Sequence, residues 1–385
     1  MLPSVRGSAG WPRALGASLF ALVGTRLPVL AIGAVAVLLV GTWPPPTSEA
    51  LWRVSPGELG NLLARWDTYW YHLVATGGYH WDGSRFQHEN VVFFPLYPLL
   101  MRWGGGLIGG HPLVAGLIVS LAAFTGAMAL LYRLAVEELG EAYAGPVVLL
   151  VATYPFALFY SAVYTESLFL FLTVGAFYAM RRHRVLVAGL LGLAAGLSRP
   201  NGLWLSVPLL WMAWYPQRDV GRSRMPAVVA ALAPMVGVGI YSGYLLVRFG
   251  DPLVWMRGQA AWGLPLAIRY GAVDGVPFTR APSEFYTDVM TWTFNIVAFG
   301  WAAASVKPIY RRFGAPYALW IVFNIVPPVL THLFMSAGRF TAVLFPLFFG
   351  LATGVPPSSL RRVATWFAVV QAGFAVLFFL WRPVV

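Results

Sequence analysis

The chain has 385 residues, of which 59% are hydrophobic and only 10% are charged. About a quarter of the residues of a soluble domain are charged, so this composition excludes a water-soluble globule and indicates an integral membrane protein. The net charge of +12 does not predict a nucleic-acid partner, because the basic residues cluster in short loops between apolar runs, where they orient helices in a membrane. The absence of cysteine excludes disulfides, thiolate metal sites and cysteine nucleophiles.

Apolar runs recur along the chain and predict an all-α, polytopic helical membrane protein. Helices satisfy their own backbone groups while crossing about 30 Å of hydrocarbon. We interpret the first run as an uncleaved helix, since no small-residue cleavage site is evident before the prolines at 44–46. Residues 1–385 are predicted to form one domain with about eleven transmembrane helices. The predicted spans are residues 27–42, 112–132, 146–162, 166–180, 185–198, 202–215, 226–247, 290–306, 315–333, 340–355 and 363–381.

The basic loops predict the orientation of these spans. If the N-terminus lies inside, four basic loops all face the cytoplasm, as the positive-inside rule requires; they are residues 181–184, 217–224, 307–312 and 361–362. The same alternation places two long segments, 43–111 and 248–289, on the outer side, together with most of the acidic residues. We interpret residues 248–289 as a lid or acceptor wall.

The first outer segment contains a predicted interfacial helix. "SPGE" at 55–58 is a capping box with proline at the first helical position. Apolar residues then recur at helical spacing over 59–73, which is typical of a helix lying at the membrane surface. Asp67 and Tyr71 fall at the edge of its apolar face, and the glycines at 77–78 end it.

Asp67 is a candidate general base, because partial burial beside aromatic residues favours its protonated form. The alternative is a solvated loop carboxylate. Downstream, "FFPLYPLLMRW" at 93–103 has two prolines in an apolar stretch. This pattern predicts a broken or re-entrant element, which is tolerated only where protein or a cavity covers it.

"RWDTYWYHLVATGGY" at 65–79, followed by "FFPLYPLL" at 93–100, resembles the signature of the PIG-V, or GPI mannosyltransferase 2, family. Three later segments, at 160–178, 196–203 and 338–348, also resemble that family. The family is similar to the GT-C group of glycosyltransferases. These are polytopic enzymes that take a sugar from a polyprenyl or dolichyl phosphate carrier at the outer or lumenal face.

The resemblance implies a GT-C-type bundle whose first outer loop carries the catalytic aspartate, at Asp67. Mannose would leave a β-linked polyprenyl-phosphate donor while an acceptor hydroxyl attacks from the opposite face, and Asp67 would take the proton. Many GT-C enzymes have two adjacent acids in this loop, whereas Trp66 and Thr68 flank Asp67 here. A bridged metal is therefore not expected, and no cofactor is predicted.

Three basic residues are candidates for binding the donor phosphate. Arg199 and Arg339 lie at predicted outer helix ends, and a guanidinium can bind phosphate oxygens in a bidentate way. His332 would lie two turns before Arg339 if the helix continues. The alternatives are arginines that extend to the interface and a hydrogen-bonded structural histidine.

Five further residues are candidates for contact with the sugar or the acceptor. Glu166 could contact a sugar hydroxyl or cap a helix N-terminus, and Asn201 could do the same. Tyr71 and His72 lie one turn beyond Asp67. Trp70 could stack on a sugar, or belong to the aromatic belt at the interface.

A rival interpretation is a polytopic transporter or lipid flippase, whose site would lie near the midplane. The predicted spans have few charges there, and this asymmetry favours an enzyme acting at one face. Within enzymes, a GT-C activity with another sugar or a protein acceptor stays open. The acceptor could be a glycan, a lipid or a protein. The arginine- and alanine-rich composition predicts a bacterial plasma membrane, with the site on its outer face.

Overall fold

The computed structural model describes residues 10–42, 53–83, 87–215, 224–262, 282–330, 336–382 and 384. These residues form helices joined by turns and loops, with no strand among them. The helices in chain order are α1 Gly10–Val40, α2 Thr68–Gly77, α3 Leu96–Leu107, α4 Pro112–Leu139, α5 Glu141–Thr153, α6 Glu166–Arg181, α7 Val185–Ser198, α8 Ser206–Trp214, α9 Met225–Phe249, α10 Val254–Trp262, α11 Pro282–Phe313, α12 Ala315–Leu330, α13 Ala337–Ala342, α14 Pro346–Gly354 and α15 Pro357–Phe379.

Four of these helices are long and apolar enough to cross a membrane: α1, α4, α9 and α15. Several shorter apolar helices, including α5 and α7, pack among them. Large apolar side chains such as Leu38 and Val247 point outward from the long helices and are mostly exposed. An apolar outer surface of this kind requires lipid around it. The predicted all-α polytopic membrane fold is confirmed.

Some predicted spans are single helices in the structure, and others are divided into two elements. The span 185–198 coincides with α7, whereas the first helix begins at Gly10, well before the predicted residue 27. The span 146–162 divides into α5 and a 3₁₀ turn, Pro155–Tyr160, and the span 340–355 divides into α13 and α14. A proline begins the second element in both cases, because its ring lacks the N–H that would continue the preceding helix.

The predicted start of the interfacial helix at 55–58 is wrong, although a helix does occupy the end of the predicted stretch. Only a 3₁₀ turn, Glu58–Asn61, forms there, and α2 begins at Thr68. The Asn61 amide replaces helical backbone bonds: it accepts from the Val54 N–H and donates to the Ser55 carbonyl, both at 2.7 Å. Side-chain bonds of this kind compete with helix formation. Asp67 is consequently the residue that precedes α2 rather than a residue within a helix.

The end of α2 and the start of α3, in the same outer segment, are set by glycine and proline residues. Gly77 is the last residue of α2, and Gly78 follows with φ of 80°, a conformation that glycine adopts without strain, so the predicted end is confirmed. Pro95 and Pro98 lie at the start of α3, where proline is tolerated, so they begin this helix instead of interrupting it. Tyr97 in α3 is fully buried and donates to the Gly116 carbonyl at 2.9 Å.

Helices α7 and α9 approach each other through glycines. A Cβ added at Gly196 would lie 2.1 Å from the Pro234 carbonyl oxygen, and one at Gly237 would lie 2.2 Å from the Leu193 carbonyl oxygen. Small residues allow backbones to pack this closely in membrane bundles. The contact fixes the end of α7, which Arg199 follows directly.

Candidate active site

Four charged residues from four separate segments meet in one group, here named the charge cluster: Asp67, Glu166, Arg199 and Arg339. Arg339 donates from Nη1 to Asp67 Oδ2 at 2.7 Å, and from Nε and Nη2 to Glu166 Oε1 at 2.9 and 2.7 Å. Arg199 Nη1 lies 3.1 Å from the same Glu166 oxygen. Asp67 precedes α2, Glu166 begins α6, Arg199 follows α7 and Arg339 lies in α13. The sequence predicted each residue but not these pairings.

Burial differs sharply across the charge cluster. The Glu166 side chain is 0% exposed and that of Arg339 is 7% exposed, whereas 22% of the Asp67 side chain is accessible. The Arg339 guanidinium also lies 4.8 and 4.7 Å from the ring centroids of Phe159 and Tyr164, which face its positive charge. Charges this buried persist only when they are paired. Of the two acids in the charge cluster, Asp67 is therefore the one that solvent reaches.

Two buried polar atoms in the charge cluster have unused bonding capacity. Glu166 Oε2 has no hydrogen-bond partner within the part of the chain that the structure describes. Arg199 Nη1 lies within ion-pair distance of Glu166 but makes no aligned hydrogen bond. Buried polar atoms are nearly always bonded, so exceptions require an explanation. Both atoms could bond polar groups of a ligand, such as sugar hydroxyls or phosphate oxygens.

The main chain at Asp67 is anchored to the segment that precedes Glu166. The Asp67 N–H donates to the Tyr164 hydroxyl at 3.1 Å, and that hydroxyl donates to the Arg65 carbonyl at 3.2 Å. The Val163 N–H donates to the Leu63 carbonyl at 2.9 Å. These bonds hold the two acids of the charge cluster in a fixed relation, although almost a hundred residues separate them in the sequence.

Arg339 is positioned by close contacts of the residue before it, Gly338, with neighbouring segments. The Gly338 N–H donates to Asn295 Oδ1 at 2.7 Å. A Cβ added at Gly338 would lie 2.0 Å from the Phe156 ring, so only glycine fits there. The residue before α13, Ser336, has φ of 67°. The start of α13 is therefore shaped by contacts with α11 and with the turn after α5.

Tyr71 lies beside the charge cluster, and His72 follows it on the same helix. The Tyr71 hydroxyl bonds to Thr165 Oγ1 at 3.1 Å. Burial, assisted by the charge of Glu166, raises the pKa of the Tyr71 hydroxyl, so it stays protonated. Burial lowers the pKa of His72, which favours a neutral imidazole at pH 7.

Trp70 and Asn201 make contacts of a structural kind. Trp70 stacks on Phe93, with ring centroids 5.9 Å apart and an angle of 10° between the planes. Asn201 donates to Asn324 Oδ1 at 2.8 Å. His332 lies outside the described residues, as do residues 263–281 of the predicted lid, so the roles of both stay predictions.

Asp82, His88 and Glu89 lie close together in the sequence and carry side chains that can bind a metal ion. Glu89 lies 3.2 Å from His80 Nδ1. Within the described ranges, no group of three or more histidine or acidic side chains is placed to hold a metal ion.

Three contributors to the site carried no predicted role: Arg65, Tyr164 and Asn295. Tyr164 lies two residues before Glu166 in a segment that the sequence did single out. Asn295 is a polar residue in the apolar part of a helix, and such residues are functional candidates because lipid disfavours them. That rule would have identified Asn295, whereas only the folded chain shows the hydroxyl bonds of Tyr164.

The fold and the charge cluster define a polytopic helical membrane protein with a buried acid–arginine site, where α6 begins and α7 ends. Residues 45–213 match the family model described as "Mannosyltransferase (PIG-V)". This match confirms the resemblance inferred from the sequence. It contains Asp67, Glu166 and Arg199, whereas Arg339 lies beyond it.

Three curated relatives show the extent of the similarity. The chain is 34% identical over 156 residues to the rat (Rattus norvegicus) protein named "GPI alpha-1,6-mannosyltransferase 2", covering 37% of this chain and 30% of that protein. The mouse (Mus musculus) protein of the same name is 34% identical over 160 residues, covering 38% and 30%. A protein of Nitratidesulfovibrio vulgaris named "Phosphatidylglycerol--prolipoprotein diacylglyceryl transferase" is 28% identical over 131 residues, covering 34% and 45%. The chain thus spans about a third of the length of the rodent relatives that it matches.

Proposed function

We propose that this protein is an integral membrane mannosyltransferase. It transfers mannose with inversion from polyprenyl-phosphate mannose to a glycan, lipid or protein acceptor at the outer face of a bacterial plasma membrane. The match to the mannosyltransferase family supports the activity. The observation that carries the proposal is the charge cluster, in which one partly exposed carboxylate, Asp67, contacts the buried Arg339, and Glu166 contacts both Arg339 and Arg199.

The chemistry requires a base on one side of the sugar and positive charge at the leaving group. The acceptor oxygen forms a bond to mannose C1 while the bond from C1 to the phosphate oxygen breaks, and polyprenyl phosphate leaves with the bonding electrons. Asp67 Oδ takes the hydroxyl proton as the new bond forms. Arg339 and Arg199 stabilise the phosphate, because guanidinium groups bind its oxygens in a bidentate way. His332 is a third candidate for this contact.

The pairing of Asp67 with Arg339 suggests an order of events. Asp67 and the proposed donor phosphate both need the guanidinium of Arg339. Phosphate binding therefore competes with Asp67 for Arg339 Nη1, which lies 2.7 Å from the carboxylate before the donor arrives. The exchange frees Asp67 to act as the base once the donor is in place.

Glu166 assists this exchange by holding the guanidinium groups of Arg339 and Arg199 close to each other. Its Oε1 contacts Arg339 and Arg199, so the guanidinium groups stay close when Asp67 is released. Its Oε2, which has no hydrogen-bond partner among the described residues, is the proposed acceptor of a sugar hydroxyl. Tyr71 and His72, beside the cluster, are the proposed acceptor contacts, with Trp70 and Asn201 further candidates.

The test measures label transfer from radiolabelled polyprenyl-phosphate mannose to membrane extract by the purified protein. Asp67→Asn should abolish most of the transfer, since an amide accepts no proton. Donor affinity should stay equal or increase, because the amide no longer competes with the phosphate for Arg339. The matched control is Glu137→Gln. Glu137 pairs with Arg182 near the opposite end of α6, and this 16-residue helix is about 24 Å long.

The outcomes separate the parts of the proposal. Unchanged transfer by Asp67→Asn would exclude its role as the base. Weaker donor binding by this variant would exclude the competition for Arg339. Label crossing vesicle membranes without transfer would favour the transporter interpretation, and labelled products accessible only from the cytoplasmic side would contradict the outer-face assignment.

A further inference from the structure

Two tryptophans with left-handed backbone meet beside Asp67. Trp66 has φ of 50° and Trp381 has φ of 62°, values that are rare for bulky residues. Their ring centroids lie 5.7 Å apart. Trp66 directly precedes Asp67, and Trp381 follows α15 more than 300 residues later. Backbone of this kind persists only where surrounding contacts hold it.

The turn that contains Trp381 does not itself require a tryptophan. The Trp381 N–H donates to the Phe378 carbonyl at 3.2 Å, and the Arg382 N–H donates to the Leu377 carbonyl at 2.8 Å. These two bonds form a Schellman motif, whose left-handed position is usually glycine because glycine adopts it without strain. The contacts of the indole are therefore what the tryptophan adds.

The indole of Trp381 also faces a buried cation. The Arg65 side chain is 2% exposed, and its guanidinium carbon lies 4.7 Å from the Trp381 ring centroid. Glu58 pairs with Arg65 Nη1 at 2.8 Å, whereas Arg65 Nε and Nη2 have no hydrogen-bond partner within the described part of the chain. A desolvated arginine gains from the face of an aromatic ring. Trp381 thus helps to hold Arg65 in its buried position.

These contacts reach the backbone that leads into Asp67 by two routes. In the first, the Trp381 ring contacts the ring of Trp66, the residue before Asp67. In the second, Trp381 faces Arg65, whose carbonyl accepts from the Tyr164 hydroxyl, and that hydroxyl accepts the Asp67 N–H. We propose that Trp381 is a positioning residue that fixes the main chain at Asp67 through Arg65 and Trp66. The inference rests on the proposed role of Asp67 as the base.

The experiment compares Trp381→Gly, which fits the turn but removes the ring, with Trp381→Phe, which keeps an aromatic face. Phe379→Leu is the matched control, because Phe379 is buried at the end of the helix that precedes Trp381 but packs against α1 at Gly33. The readouts are kcat, the KM for the donor, and hydrogen exchange of the backbone amides at 65–68.

We expect Trp381→Gly to lower kcat by about 10- to 100-fold, since displacing a reactive group by about 1 Å has effects of this size. The donor KM should be unchanged, and exchange at 65–68 should become faster. Trp381→Phe should restore most of kcat, and Phe379→Leu should leave kcat and the local exchange as they are in the wild type.

Wild-type kcat in Trp381→Gly, or an equal loss in the glycine and phenylalanine variants, would overturn the inference. If Trp381→Gly does not fold, Trp381→Leu retains bulk without an aromatic face and takes its place. Full activity of Asp67→Asn would refute the proposed base instead. In that case the amide exchange still decides whether Trp381 orders residues 65–68, and unchanged exchange would refute the positioning role.

Discussion

We expect Arg339→Met to be the most destabilising removal of a single charge from the charge cluster. Methionine keeps much of the length of the side chain but none of its hydrogen bonds. Arg339 donates two bonds to Glu166, which is fully buried and would then keep, among the ion pairs of the described residues, only the contact with Arg199 at 3.1 Å. Removing one partner of a buried ion pair costs about 3–5 kcal/mol. The loss from Asp67 is smaller, because water can reach that carboxylate.

Arg199→Met provides the comparison within the same cluster. Arg199 makes one ion-pair contact with Glu166 and no aligned hydrogen bond, and Glu166 keeps both bonds from Arg339 when Arg199 is removed. Its removal should therefore cost less than that of Arg339, about 0.5–3 kcal/mol, the usual range of single substitutions. The double variant Glu166→Gln/Arg339→Met should lose less stability than the sum of the two single variants, since each single change leaves an unpaired charge. The measurement is the free energy of unfolding by denaturant titration in detergent, followed by tryptophan fluorescence.

Two results would refute the reasoning on Arg339. One is an Arg339→Met variant within about 0.5 kcal/mol of the wild type, the usual range for surface substitutions away from special features. The other is strict additivity of the Glu166 and Arg339 changes, because residues in one ion-pair network should be coupled. Either would mean that these pairs do not stabilise the fold.

Three further predictions concern packing, pH and the anchoring of the site. Gly237→Ala should destabilise the protein by about 1–3 kcal/mol through overpacking. Gly239→Ala in the same helix has open space around its Cβ and should be neutral or slightly stabilising. Equal shifts of the melting temperature in the two variants would contradict this. Burial acts to raise the pKa of Glu58, but the bonds and charges of Arg65 and Arg53 outweigh it and place the pKa below 4.5. The stability that wild type gains over Glu58→Gln should therefore be present at pH 7 and disappear as the pH falls below about 4.5; an advantage that grows in acid would reverse the sign of the argument. Tyr164→Phe removes the hydroxyl that accepts the Asp67 N–H, which should cost about 1–3 kcal/mol of stability and lower the transfer rate. If neither the melting temperature nor the transfer rate changes, the Tyr164 hydroxyl does not anchor Asp67.

The membrane helices were predictable because a long apolar run is visible within one stretch of sequence. The clearest case is α7, whose bounds coincide with the predicted span 185–198. The outer segment was not predictable in the same way. Its capping pattern at 55–58 was real as a pattern, but the Asn61 side chain bonds the backbone there, and Glu58 pairs with Arg65 instead of bonding back to Ser55. Local motifs fail where a tertiary ion pair or a side-chain amide offers the same groups a better partner.

The charged residues of the site were predictable one at a time, because an acid or an arginine at a membrane edge is costly and therefore conspicuous. Their pairing was not, since Asp67 and Arg339 lie 272 residues apart in the sequence. From the sequence we predicted that Arg339 binds a phosphate, whereas in the folded chain it bonds the carboxylates of Asp67 and Glu166. No pattern within a single segment carries information about such a contact.

The charge balance of the site determines what the proposed donor must do. Two carboxylates and two guanidinium groups already neutralise each other in a buried space, so a phosphate entering the charge cluster adds a negative charge without a counter-ion. Burying an uncompensated charge is expensive. In the proposed mechanism, compensation comes when Arg339 turns from Asp67 to the phosphate and Asp67 takes the proton that the acceptor hydroxyl loses. Under this proposal, electrostatic neutrality and bond formation require the same step.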